Sequence, residues 1–151
     1  MKKFYYRLEK LLEIKAHNER SKSLELAEVT GRLIKTGEEI KNLKDMKKQV
    51  LFSRYAGEEK QAAATSMLEY AENQISAIKS RISKLEKMLE QIKGEHEKAR
   101  NVYVGALKEK KVLEKLKEKK QFMHVKNEYN REARVLEDIV ITSFTVKTRE
   151  G

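Results

Sequence analysis

Along this chain, apolar side chains recur in alternating steps of three and four residues. In the first part Tyr5, Leu8, Leu12, Leu26, Val29, Leu33, Thr36, Ile40, Leu43 and Val50 share one such register, interrupted by Lys15, Glu19, Lys22 and Lys47. From Leu68 the register is cleaner. It runs Leu68, Ala71, Ile75, Ile78, Ile82, Leu85, Leu89, Ile92, His96, Ala99, Tyr103, Ala106, Lys110, Leu113, with only His96 and Lys110 polar. A mean step of 3.5 residues keeps one stripe of a helix facing a partner, so the pattern predicts two long helices paired through an a/d seam.

The seam stops within SRYAGEEKQAAATS (53–66). Gly57 suits the left-handed conformation that ends a helix. Ser66 with Glu69 reads as a capping box, although the alanines at 62–64 also allow a second helix from near Glu58. The simplest layout is an all-α, antiparallel two-helix coiled-coil hairpin in a single domain. Its first helix is expected over about 3–54, its hinge over about 55–65, and its longer C-terminal helix over about 60–140 with a frayed tail at 145–151. The competing layout is one unbroken helix that dimerises in parallel.

Helix lengths add a further expectation. At 1.5 Å per residue the second helix exceeds the first by about 40 Å. A fold near residue 60 sets Leu8 opposite roughly position 112, so everything beyond about 115 is expected to lack a partner from its own chain. In that overhang Phe122, Val125, Tyr129, Leu136 and Ile139 form a new stripe, with Phe144 beyond it. A bare stripe of this kind reads as a protein-binding surface, with self-association as the alternative.

Composition sharpens this picture. The 151 residues include no proline, tryptophan or cysteine, and 38% are Asp, Glu, Lys or Arg. Without proline the strongest helix breaker is missing, and without cysteine there are no disulfides or thiolate sites. No run of about 18 apolar residues occurs, and the N-terminus lacks the apolar core of a secretory signal, so a cytoplasmic protein is expected. His17, His96 and His124 are not within helical reach of one another, and no glycine-rich loop fits a phosphate site. The carboxylates interleave with lysines as solvated helix faces do. No enzyme is expected, and no residue is expected to serve catalysis, a cofactor or a metal.

The net charge is +10, and residues 108–126 hold eight lysines against three glutamates. Those cations run around the helix with no interleaved arginine, which favours non-specific polyanion affinity over dedicated nucleic-acid binding. Gly31 and Gly37 in the first helix, and Gly94 and Gly105 in the second, read either as relief of crowding between helices or as points of bending.

Several segments together resemble the flagellar export protein FliJ family. They are KKFYYRLEKLLEIKAHNE at the N-terminus, the hinge near residue 57, KEKKVLEKLKEKK (108–120) and REARVLEDIVITSF (131–144), and the resemblance covers residues 2 to 144. It implies an antiparallel coiled coil similar to the stalk subunit of rotary ATPases, serving as a soluble part of the flagellar type III export apparatus. Implied partners are the hexameric export ATPase, the cytoplasmic domain of the membrane-embedded export gate, and export chaperones. The implied location is cytoplasmic, peripheral to the inner membrane at the basal body, with the free chain monomeric. By this resemblance the gate-binding patch includes Leu43, Met46, Val50, Tyr70, Gln74 and Ala77. The ATPase end is expected to use Lys2, Lys3 and Arg7 beside Phe122, Tyr129 and Leu136. The stalk protein of a virulence secretion system, and a purely structural or polyanion-binding coiled coil, are the alternatives.

Overall fold

The computed structural model describes residues 2–57 and 64–150. Two helices account for nearly all of them: α1 (Glu9–Gly57, 49 residues) and α2 (Ala64–Glu150, 87 residues). The architecture is all-α, and no strand occurs among the described residues. Two compact units can be told apart, one made of residues 1–19 with 105–151 and one of residues 20–104.

In the second of these units α1 runs antiparallel to α2. Arg32 pairs with Glu95 at 3.0 Å, Lys44 with Glu86 at 3.9 Å and Arg54 with Glu72 at 3.1 Å, so one number rises as the other falls. Ile40, Ile82 and Leu85 form its core, with Leu43, Ile78 and Leu89 packed against them. Every seam position from Leu26 to Val50 and from Leu68 to Tyr103 is buried or half-buried. Thr36 is tolerated there because its hydroxyl donates to the Arg32 carbonyl at 2.9 Å, so no polar group is left unpaired.

In the other unit the start of α1 is again antiparallel to α2. Tyr6, Leu12 and Leu113 form the core, with Phe4 and Leu8 against it. Ion pairs flank this core: Lys15 with Glu109 at 2.8 Å, and Glu9 with Lys117 at 2.8 Å. The seam positions that broke the apolar pattern are filled by charge. Glu19 is buried and faces Lys110 at 3.6 Å, and Lys110 also approaches Glu114 at 3.8 Å.

The N-terminus departs from the sequence expectation. α1 begins at Glu9 rather than near residue 3, and residues 2–6 are non-helical. No Ser, Thr, Asp or Asn precedes Glu9 in the YYRL that leads into it, so no side chain caps an earlier start. Instead the chain lies along α2, with Phe4 half-buried, Tyr5 82% exposed and Tyr6 only 4% exposed. Tyr6, not Tyr5, therefore fills the seam. Its hydroxyl donates to the Leu113 carbonyl at 3.1 Å, and its own carbonyl accepts from the Glu9 amide at 3.2 Å.

The C-terminus departs too. α2 continues to Glu150, past the end expected near 140 and through the tail expected to fray. Thr142, Thr145 and Thr148 donate their hydroxyls to the carbonyls of Asp138, Ile141 and Phe144, which accommodates these residues within the helix. At its other end α2 starts at Ala64, so Ser66 lies inside the helix instead of capping it, and the turn expected between the helices (58–63) lies outside the described residues. The four glycines do not relieve crowding. A β-carbon added at Gly31, Gly37, Gly94 or Gly105 would meet nothing within 4 Å.

Candidate binding surfaces

Two surfaces follow from this architecture, each built within one unit. The first is the outer face of α2 near its start. Tyr70, Gln74 and Ala77, at steps of four and three, share one face and are all exposed. The Gln74 side-chain amide donates to the Tyr70 hydroxyl at 3.1 Å, which ties the two polar ends together and leaves the ring presented to solvent. Met67 stands one turn before Tyr70 on the same face, 71% exposed, and sequence reasoning missed it. Its signal was available: an apolar residue off the seam at i−3 from an off-seam tyrosine. On α1, Met46 is exposed. Leu43 and Val50, expected in the same patch, are half-buried on the seam, and Leu43 packs against the Ile40, Ile82 and Leu85 core. Their position makes them supports of the helix pair, with only part of each side chain open to solvent.

A groove in the same unit also escaped the sequence reading. Lys44, Lys47, Lys48 and Lys79 line it together with Leu51, Ile82, Ser83 and Glu86. Glu86 answers Lys44 alone, so the groove is basic. Its four lysines are split between two distant stretches of chain, so no local run of charge marks it in the sequence.

The second surface lies on α2 after Leu113. The overhang expected from residue 115 onward is not bare along its whole length. His124 Nε2 lies 2.8 Å from the Lys2 carbonyl oxygen, which can only accept, so that nitrogen carries the proton. The Phe4 and His124 rings meet at 5.5 Å. Lys2 also lines a groove with Glu128, Arg131, Glu132, Val135 and Leu136. A non-helical chain advances about 3.3 Å per residue against 1.5 Å in a helix, so a short segment reaches further along α2 than a helical one would. From Arg134 to Glu150 every residue is exposed.

At about 100° per residue, Leu113, Lys117, His124 and Glu128 lie on one side of α2, the side the N-terminal segment covers. Phe122, Val125, Tyr129, Leu136, Val140 and Phe144 lie on roughly the opposite side. Phe122 is 68% exposed, Tyr129 69% and Leu136 63%. Lys2, Lys3 and Arg7 are exposed as well. Lys2 alone of these cations is brought beside a predicted apolar partner, Leu136, while Phe122 and Tyr129 face away from the covered side.

Among the described residues no group of three or more His, Asp or Glu side chains is placed to hold a metal ion, and no helix is long and apolar enough to cross a membrane. His96 is half-buried at its seam position. What the geometry offers is one exposed, partly apolar helix face in each unit. The family model described as Flagellar FliJ protein matches residues 3–149, and the chain belongs to that family, whose members are proteins of flagellar export. Comparison with curated proteins and with solved structures gave no match.

Proposed function

We propose that this protein is the stalk-like coupler of the flagellar type III export apparatus, with no catalytic role of its own. In this reading the bare C-terminal arm of α2, with Lys2, Lys3 and Arg7 near its base, engages the hexameric export ATPase. The face bearing Tyr70, Gln74 and Ala77, with Met46, meets the cytoplasmic domain of the export gate. Export chaperones dock on the remaining charged surface, and the excess of lysines steers association with acidic partners. The chain works in the cytoplasm, at the inner-membrane face of the basal body, through surfaces rather than through a cofactor.

The observation that carries this reading is the arm itself. A helix that is apolar on several sides normally sits inside something, and Val135, Leu136, Ile139, Val140, Ile141 and Phe144 are all about half exposed or more. Family membership supplies the kind of machine in which such an arm finds its enclosure. The test is the full chain carrying Leu136→Asp and Val140→Asp, assayed for stimulation of the export ATPase. Stimulation should fall at least tenfold while helicity by circular dichroism stays within error of the unaltered chain. Undiminished stimulation would place the ATPase contact elsewhere.

A further inference from the structure

The stripe on the arm has a symmetry that the proposed export role does not require. Within about 55° of its centre its members fall at 122, 125, 129, 136, 140 and 144, with the small Ala133 at their midpoint, while Ile139, expected in the stripe, lies on the flank that bears Glu132. Read backwards, the series nearly reproduces itself: Phe122 maps onto Phe144, Val125 onto Val140 and Tyr129 onto Leu136. A surface of this kind is self-complementary, as a two-fold interface must be. We propose that in the free protein the arms of two copies pair antiparallel through this stripe, about an axis close to Ala133.

Charge placement agrees with that arrangement. Lys126 and Glu137 lie on the same flank of the stripe, about 55–75° from its centre, and both are exposed. In an antiparallel pair that flank meets itself. Lys126 of one copy then stands near Glu137 of the second, and the contact occurs twice by symmetry. A parallel pair in register would instead set each flank against the opposite one, so Lys126 would face the flank that bears Glu132 and not Glu137. On the other flank Glu132 approaches its own counterpart, the one like-charge meeting near the axis, which weakens the pair. Ala133 offers no bulk at the crossing, so the helices approach closely there.

The area is sufficient for a reversible contact. Two phenylalanines, one tyrosine and three aliphatic side chains expose on the order of 600 Å² per copy, at the lower end of what specific interfaces bury. The N-terminal segment leaves most of the stripe open, because it lies mainly on the opposite side of α2, against His124, and reaches the stripe only where Lys2 lines a groove with Leu136. The pairing departs from the monomeric free chain expected above. It does not rest on the export reading, because it concerns the chain without partners. Since the ATPase-binding reading uses the same stripe, pairing and ring engagement exclude each other.

The test uses the full chain in sedimentation equilibrium over a hundredfold concentration range. The unaltered protein should show a reversible monomer–dimer equilibrium. Lys126→Glu should weaken it about tenfold, from two lost ion pairs replaced by repulsions, and the swap Lys126→Glu with Glu137→Lys should restore it. Glu132→Gln should tighten it. The chain has no cysteine, so a mixture of Val125→Cys and Val140→Cys chains should oxidise mainly to the 125–140 disulfide between copies. A monomer at every concentration, a dominant 125–125 disulfide, or a dimer indifferent to Lys126→Glu each overturns the proposal. None of these readouts involves the ATPase, so its failure leaves the export reading standing, and the reverse holds.

Discussion

At the level of single residues, the charged positions in the seam separate stability from specificity. Glu19 is buried, its side chain 12% exposed, opposite Lys110 at 25%. Desolvating two such groups consumes much of the energy that their attraction returns, so the pair as a whole adds little stability. Removing one partner is a different matter, because the survivor stays partly buried without compensation. Glu19→Ala is therefore expected to destabilise by about 1–3 kcal/mol, with Glu114 softening the loss by holding Lys110. Changing both residues to leucine should be neutral or stabilising. What the double change removes is alignment: two leucines accept a slip of the helices by one turn, whereas one carboxylate facing one ammonium does not. Urea denaturation of the single and double variants checks the energies. Equal losses in both would show that the pair contributes net stability after all.

At the level of elements, the helices carry glycines that packing does not require. Gly31 and Gly94 are exposed and an added methyl group would touch nothing. Gly31→Ala and Gly94→Ala should each stabilise by up to about 1 kcal/mol through helix propensity alone, seen as a rise in the denaturation midpoint with an unchanged slope. A loss of stability at either site would mean that the helix bends there. The elements also show how far the sequence can be read. The seam from Leu68 to Leu113 was legible because a period near 3.5 is set by burial, and burial chose those positions. Tyr6 was not legible. It takes the seam place expected of Tyr5, and its hydroxyl meets the Leu113 carbonyl, 107 residues away, a contact that no local pattern carries. The extent of the bare arm was misjudged for the same reason, since the non-helical segment at 2–6 covers more of α2 than a helix would. Among the candidate site residues, Tyr70 and Leu136 could be found as apolar residues off the seam. Leu43 and Val50 were drawn in by resemblance against the evidence of their own register.

At the level of the whole molecule, the structure concentrates its packing in some parts of the chain and leaves the stretch from Arg134 to Glu150 exposed. No side chain among the described residues is completely withdrawn from solvent, and the packed interior is two small clusters, around Leu113 and around Ile82, with Ile75, Ile92 and Ala106 buried besides. Local free energy of opening follows local packing, so it must vary along α2. The amides around Ile82, Leu85 and Ile92 sit on side chains less than 9% exposed and should exchange with solvent most slowly. Those from Arg134 to Glu150 belong to a helix without tertiary support, where only propensity holds the hydrogen bonds, and an isolated stretch of this length is marginal in water. Measured at a concentration where the chain is monomeric, hydrogen exchange should show protection in the arm lower by two or more orders of magnitude than around Leu85. Raising the concentration, or adding the export ATPase, should protect the arm and leave the Ile82–Ile92 region unchanged. Uniform protection along α2 in the monomer would contradict the division, because it would require the arm to be stabilised by contacts that its exposed side chains do not make. In the proposed role, an arm stabilised further by what holds it would spend free energy on each docking event, and that would make its contacts readily reversible.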